Sequence, residues 1–169
     1  MANYRTQPLS FAETAPFIAE ASAVVDGTAD EVWAVLADHA GWARWFSAIR
    51  TCEPTSELAS GVGSTRTISL GGGATIDEEF IAWDELELWA FTATAGPPLV
   101  TSLVERVDLS PVDDGTTTVT YRMAAQPRGG LGWLLQLARP TMVKSLSDAL
   151  AALEVEVQDR REPGDVSSS

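Results

Sequence analysis

An α+β fold, a curved antiparallel sheet of about seven strands around one long C-terminal helix, is predicted by three observations. Strand-like runs follow one another from about residue 49 to residue 125 with no crossover helix between them, which calls for antiparallel pairing. Two short helical stretches are confined to residues 28–46, directly after a first strand. The longest helical pattern comes last, and only it is long enough to cover the apolar face of the sheet. A sheet bent round one helix leaves a space between them, which the two short helices are placed to close at one end.

The elements follow in order. Residues 17–25, FIAEASAVV, alternate loosely and read as the first strand. In DGTADEVWAVLAD, Thr28 with Glu31 three residues later forms a capping box, and Val32, Trp33, Val35 and Leu36 make the apolar face of the helix that follows. After Asp38 the chain turns through His-Ala-Gly into a second short helix carrying Trp42, Trp45 and Phe46. Strands are expected at 64–70, 74–83, 86–94, 100–110 and 115–125, the last two joined at Asp114-Gly115, a strong hairpin signal. Leu146, Leu150, Leu153 and Val157 recur at helical spacing. Pro140 predicts a break, with the main helix starting near Thr141. Residues 1–16 read as an N-terminal extension, 17–158 as one domain and 159–169 as a polar, disordered tail.

The chain has 169 residues, 45% of them hydrophobic, and a formal net charge of −13, so an ordered single domain is expected. That charge argues against nucleic acid and against an anionic membrane surface. No apolar run reaches the roughly 18 residues of a membrane span, so no membrane insertion is expected. The opening stretch shows no basic-then-apolar leader pattern, and a cytoplasmic location is the expectation. Cys52 is the single cysteine and His39 the single histidine, which excludes an internal disulfide, a thiolate cluster and a histidine metal set. Neither a cofactor nor a metal is expected. The glycine-rich stretches GVGS and LGGGA lack dinucleotide-binding spacing and read as turns.

The joint order of several pieces carries a family resemblance. VVDGTADEVWAVLADHAGWARWFSAI, with Val32-Trp33, Asp38, Trp42 and Trp45, is followed by GVGSTR, EEFIAWD, DDGTTTVTY and a terminal helix ending ALAALE. Together these resemble the START-like or Bet v 1-like (SRPBCC) superfamily, with its polyketide cyclase/dehydrase-type members, over residues 17–158. The resemblance implies a helix-grip fold enclosing a pocket for a small, largely apolar molecule.

Polar residues inside apolar faces are the informative signal for a site. Glu105 falls among Leu103, Val107 and Leu109; Arg66 shares a face with Ile68 and Leu70; the matching set on the last strand is Val119, Tyr121 and Met123. An inward Glu105 needs a partner, and Arg66, Tyr121 or a ligand's polar group would serve; a strand twist could instead turn it outward. In 74–83 the faces are ambiguous, with Glu79 travelling with Ile81 and Trp83, and Glu78 with Phe80. Asp77 and Glu79 share a face but lack further metal ligands. Trp33 reads as core, Trp42 and Trp45 as core or pocket mouth, and His39 as structural or solvent-facing. The ligand-binding candidates are Trp42, Trp45, Arg66, Glu79, Trp89, Leu103, Glu105, Tyr121, Met123 and Leu146.

Two functions follow. In the first, a monomer or homodimer binds a small hydrophobic ligand such as a lipid, polyketide or aromatic metabolite. In the second, a cyclase- or dehydratase-like enzyme uses Glu105, Arg66 and Tyr121 as candidate catalytic groups to hold an enolate and move protons. A protein-binding regulator of the chaperone-activator type is a third. With no recognisable acid/base dyad, the binding reading is favoured.

Overall fold

The computed structural model describes residues 1–161. Its strands are β1 (Ala2–Asn3), β2 (Phe17–Asp26), β3 (Ile49–Pro54), β4 (Thr65–Leu70), β5 (Thr75–Asp84), β6 (Leu88–Gly96), β7 (Val100–Pro111) and β8 (Thr116–Pro127). Its helices are α1 (Phe11–Thr14), α2 (Ala29–Ala37), α3 (Trp42–Trp45) and α4 (Gly132–Arg161). Seven strands run antiparallel in the order β2-β8-β7-β6-β5-β4-β3, and α4 lies across β2 and β8 with Leu146, Leu150, Leu153 and Val157 buried. This is the helix-grip arrangement: a curled sheet closed on its concave face by the last helix.

Local chemistry accounts for the elements that frame the site. Thr28 Oγ1 accepts from the Glu31 backbone N–H at 3.3 Å and the Thr28 N–H donates to Glu31 Oε2 at 2.8 Å, a complete capping box. Asp38 ends α2 and accepts from the Gly41 N–H at 3.1 Å, setting the short 3₁₀ turn His39–Gly41 that leads into α3. Between β7 and β8, Asp113 Oδ1 accepts from the N–H groups of Gly115 and Thr116 at 2.9 Å each.

Two expectations are corrected. Helix α4 begins at Gly132, ahead of Pro140, and continues through it. Proline removes only its own N–H, and Pro140 lies on an exposed part of the helix where water can satisfy the freed carbonyl. Beside it, Arg139 Nε donates to the Ile18 carbonyl at 2.8 Å and ties this half of α4 to β2. The polar tail expected for 159–169 is helical as far as Arg161, and the rest lies outside the described residues.

The first sixteen residues are built into the sheet. β6 and β7 pair only from Leu88↔Asp108 to Thr92↔Val104, and beyond that β1 joins β6 at Ala2↔Gly96 and Asn3↔Ala95. Tyr4 N–H donates to the Thr94 carbonyl and Arg5 N–H to the Thr101 carbonyl, both at 2.8 Å, so the segment bridges the two strands where they part. The Tyr4 ring is buried and its hydroxyl donates to the Pro97 carbonyl at 2.5 Å. On the convex face α1 sets Ala12 against Val104 and Ala124. Truncating Tyr4→Ala is therefore predicted to lower stability by roughly 3–5 kcal/mol, as for a core aromatic. A urea-unfolding difference within about 0.5 kcal/mol would show residues 1–5 to be an appendage.

Candidate functional site

Strand alternation aims one set of side chains into the space between sheet and helix. Arg66 and Glu78 are directly opposite in the β4–β5 register, Phe91 is opposite Glu105 across β6–β7, and Glu105 is diagonal to Tyr121 across β7–β8. They meet at the inner end of a partly open cavity of about 160 Å³. Its walls are Phe46, Ile49, Ile68, Phe91 and Met123, and Met142, Ser145 and Leu146 stand on the helix side. Polar side-chain groups reach it only through Glu78, Glu105, Tyr121 and Ser145.

Arg66 is the anchor of this inner end. Its side chain is fully buried, and Nε donates to Glu78 Oε2 at 2.7 Å. The guanidinium carbon lies 4.2 Å from the Trp42 ring centre, 4.8 Å from Phe91, 4.9 Å from Phe80 and 5.5 Å from Trp89. Among the described residues Nη1 and Nη2 find no hydrogen-bond acceptor, and the ring faces stand in for one. Burial works against the charge, but Glu78 holds the guanidinium above its ordinary pKa. Burial also drives the Glu78 carboxyl upward, against the pull of Arg66.

Glu105 is 6% exposed and accepts a short hydrogen bond from the Tyr121 hydroxyl. Burial, reinforced by the charge of Glu78, pushes its carboxyl up to about 8, against the pull of Tyr121 and Arg66. Burial and then Glu105 push the Tyr121 phenol well above its usual range. At neutral pH the pair is therefore a carboxylic acid beside an intact phenol, a group able to give or take a proton in an apolar cavity.

The other candidates are distributed as follows. Trp42, Met123 and Leu146 line the cavity, whereas Trp45, Trp89 and Leu103 are buried beside or behind it. Trp42 Nε1 donates to the Leu36 carbonyl at 2.8 Å, which fixes α3 to the end of α2. Arg66 supports the cavity from behind Glu78 and is paired with Glu78, not with Glu105.

Glu79 is a correction: it stays out of the cavity, and Glu78 enters instead. A register shift between Phe80 and Ala82 makes Ile81 the extra residue, so Trp83 pairs with Trp89 and no longer shares a face with Glu79 and Ile81. Trp83 packs edge-on against Trp33 and Phe80, while Ile81 packs on the convex cluster. Not among the ligand-binding candidates were Ile68 and Phe91, which strand alternation could have added, Phe46, which follows α3, and Met142 and Ser145, which lie on the first half of α4.

His39 is buried, not solvent-facing, and stacks on Phe80 at 5.4 Å between ring centres. Burial, then the charge of Arg66, hold it down to about 4, so it is neutral. Burial likewise pushes the Cys52 thiol up to about 11. Among the described residues no group of three or more His, Cys, Asp or Glu is placed to hold a metal ion. No described helix is long and apolar enough to cross a membrane.

A model of the family described as "polyketide cyclase / dehydrase and lipid transport" matches residues 16–158. The chain belongs to that family. An uncharacterised protein of Mycobacterium tuberculosis is 39% identical over 83 residues, 49% of this chain and 50% of that protein, so the match spans about half the length of this curated relative. Among solved structures, the Zhui aromatase/cyclase of Streptomyces sp. R1128 superposes with a TM-score of 0.73 at 18% identity, covering 87% of this chain and 96% of its own. A norcoclaurine synthase point mutant of Thalictrum flavum, in complex with a transition-state analogue, does so at 0.66 and 16%, covering 86% and 96%. At these identities the family's polyketide cyclase-type fold is what is shared.

Two predictions follow from the buried charges. Arg66→Met strands Glu78 and is expected to cost roughly 3–5 kcal/mol, with a substantial part recovered in Arg66→Met/Glu78→Leu; a strictly additive double-mutant cycle would contradict the pairing. Glu105 holds a proton in the folded protein that the unfolded chain has released above its ordinary value of 4.5. Its contribution to stability is thus full below about 4.5 and is lost as pH rises towards about 8. Stability of the native chain relative to Glu105→Gln should fall over that window by up to about 1.4 kcal/mol per pH unit. Parallel pH profiles for the two proteins would refute the shift.

Proposed function

We propose that the protein binds a small, largely apolar molecule in the cavity, with the apolar body against Phe46, Phe91 and Ile68 and one polar group at Glu105 and Tyr121. The observation that carries this reading is the convergence of Glu78, Glu105 and Tyr121 at one inner end of an otherwise apolar space. A cavity of about 160 Å³ is below the ~300–1,000 Å³ common for drug-sized ligands, which favours a compact ligand or one only partly enclosed. The family's description, with its cyclase, dehydrase and lipid-transport members, agrees with such a ligand. On the same reading the protein acts in the cytoplasm as a monomer or homodimer, with neither cofactor nor nucleic acid, in keeping with its net charge of −13.

A second reading, a cyclase- or dehydratase-like enzyme, is favoured by one observation. Burial pushes the Glu105 carboxyl up to about 8 where it lines the cavity, as suits a general acid or base.

Native mass spectrometry of freshly purified protein is expected to show a bound small molecule that is lost from Ser145→Trp, a variant that fills the cavity mouth. An empty wild-type protein that also fails to bind an environment-sensitive apolar dye would overturn the binding reading. Glu105→Gln then separates the alternatives. A carrier keeps its ligand with a change on the order of 1–3 kcal/mol, whereas an acid/base enzyme binds nearly as before and loses about 10²–10⁴ in rate.

A further inference from the structure

Two carboxyls line the inner end of the cavity, with the Arg66 guanidinium behind Glu78. Glu78 uses Oε2 to accept from Arg66, and Glu105 uses Oε2 to accept from Tyr121. The Oε1 atoms of both accept no hydrogen bond from the described residues, and both side chains line the cavity. Ionised together, the two carboxylates carry one negative charge more than Arg66 neutralises.

Among the described residues no other packed element supplies the missing charge. From the 3₁₀ turn His39 is neutral, from β3 Cys52 keeps its thiol proton, and from β8 Tyr121 keeps its phenol proton. Helix α3 contributes Trp42 and Phe46, and α4 contributes Met142, Ser145 and Leu146, none of them charged. An unpaired carboxylate in such surroundings is expensive, and in the empty protein a proton on Glu105 removes it. A cationic ligand would remove it equally well, and Trp42, Phe46, Phe91 and Tyr121 offer ring faces around the same space.

We propose that the cavity selects a small arylalkyl amine, bound as its ammonium ion between Glu105 and Glu78 with its ring among the aromatic walls. This rests on the binding reading above and names the ligand class for it. An ammonium has three N–H donors and no acceptor, which suits two free carboxylate oxygens better than a carbonyl or a carboxylate would. A single-ring body fits the volume: an apolar cavity of roughly 150 Å³ accepts benzene. On binding, the Glu105 O–H bond breaks, its proton passes to the buffer, and an N–H···O contact to the resulting carboxylate takes its place.

The test is titration calorimetry with 2-phenylethylamine and its neutral isostere 2-phenylethanol, in two buffers of different ionisation heat, from about pH 6 to 9. The amine is expected to bind at least about tenfold tighter than the alcohol at about pH 8. Its affinity should rise by up to roughly tenfold per pH unit below that, with up to one proton released per amine, while the alcohol shows no such rise. Glu105→Gln should abolish the slope and the amine preference. Because slope and proton release are read on the wild-type chain, they stand even if the variant folds poorly. Alcohol binding as tight as amine binding throughout overturns the amine assignment and leaves the binding reading intact. So does amine failure with retained binding of an apolar dye. Failure of amine, alcohol and dye alike overturns both.

Discussion

The Arg66 guanidinium is wholly withdrawn from water, and placing an ion there costs several kcal/mol unless neighbouring groups offset it. Three elements are disposed about that need. β5 brings Glu78 to Nε, β5 and β6 bring the rings of Phe80, Trp89 and Phe91, and α3 brings Trp42 across the open side. Helix α3 is only four residues long and would be a weak element alone. It is held by the Trp42 indole bond to the end of α2 and by the cation beneath its ring. Helix α3 and the buried charge are thus one structure: moving Trp42 away would expose one face of an ion that finds no acceptor for two of its nitrogens among the described residues.

That anchor also sets the polarity of the cavity. With Arg66 behind Glu78, the positive charge is screened from a ligand and the carboxyls face it. The inner end therefore presents acceptors and a transferable proton, and the rest presents rings, aliphatic chains and two methionines. Such a gradient orients a ligand by one end while leaving its body loosely specified, which accords with a family whose members include both cyclases and lipid transporters.

Much of this was legible in the sequence because it depends on periodicity. Strand alternation found Arg66, Glu105 and Tyr121 on inward faces, and helical spacing found the buried face of α4. The failures have local causes. In β5 a one-residue bulge at Ile81 switches the parity of the strand, so no reading by strict alternation could place both Glu79 and Trp83. Glu105 had two plausible partners, and only the register, which puts Glu78 directly across from Arg66, separates them. Pro140 was read by its intrinsic penalty, which tertiary anchoring at Arg139 and solvent on the exposed side outweigh. Residues 2–5 fill a gap between β6 and β7, and α1 packs on the convex face, placements set by the folded sheet and not by a periodicity of their own.

The position of α4 after every strand of the sheet bears on how the domain folds. Until residues 146–157 are made, the concave side of seven strands lacks its largest cover, and Leu103, Val107 and Val119 are left partly to water. Strand pairings such as β2–β8, joining residues about a hundred positions apart, are slow to form and give nothing until that helix docks. The domain therefore stays an unfinished, sticky sheet until that helix is available, and a single docking event then completes it. A chain truncated within α4 would be a substrate for chaperones and proteases, because the missing piece is the one that makes the rest a globule.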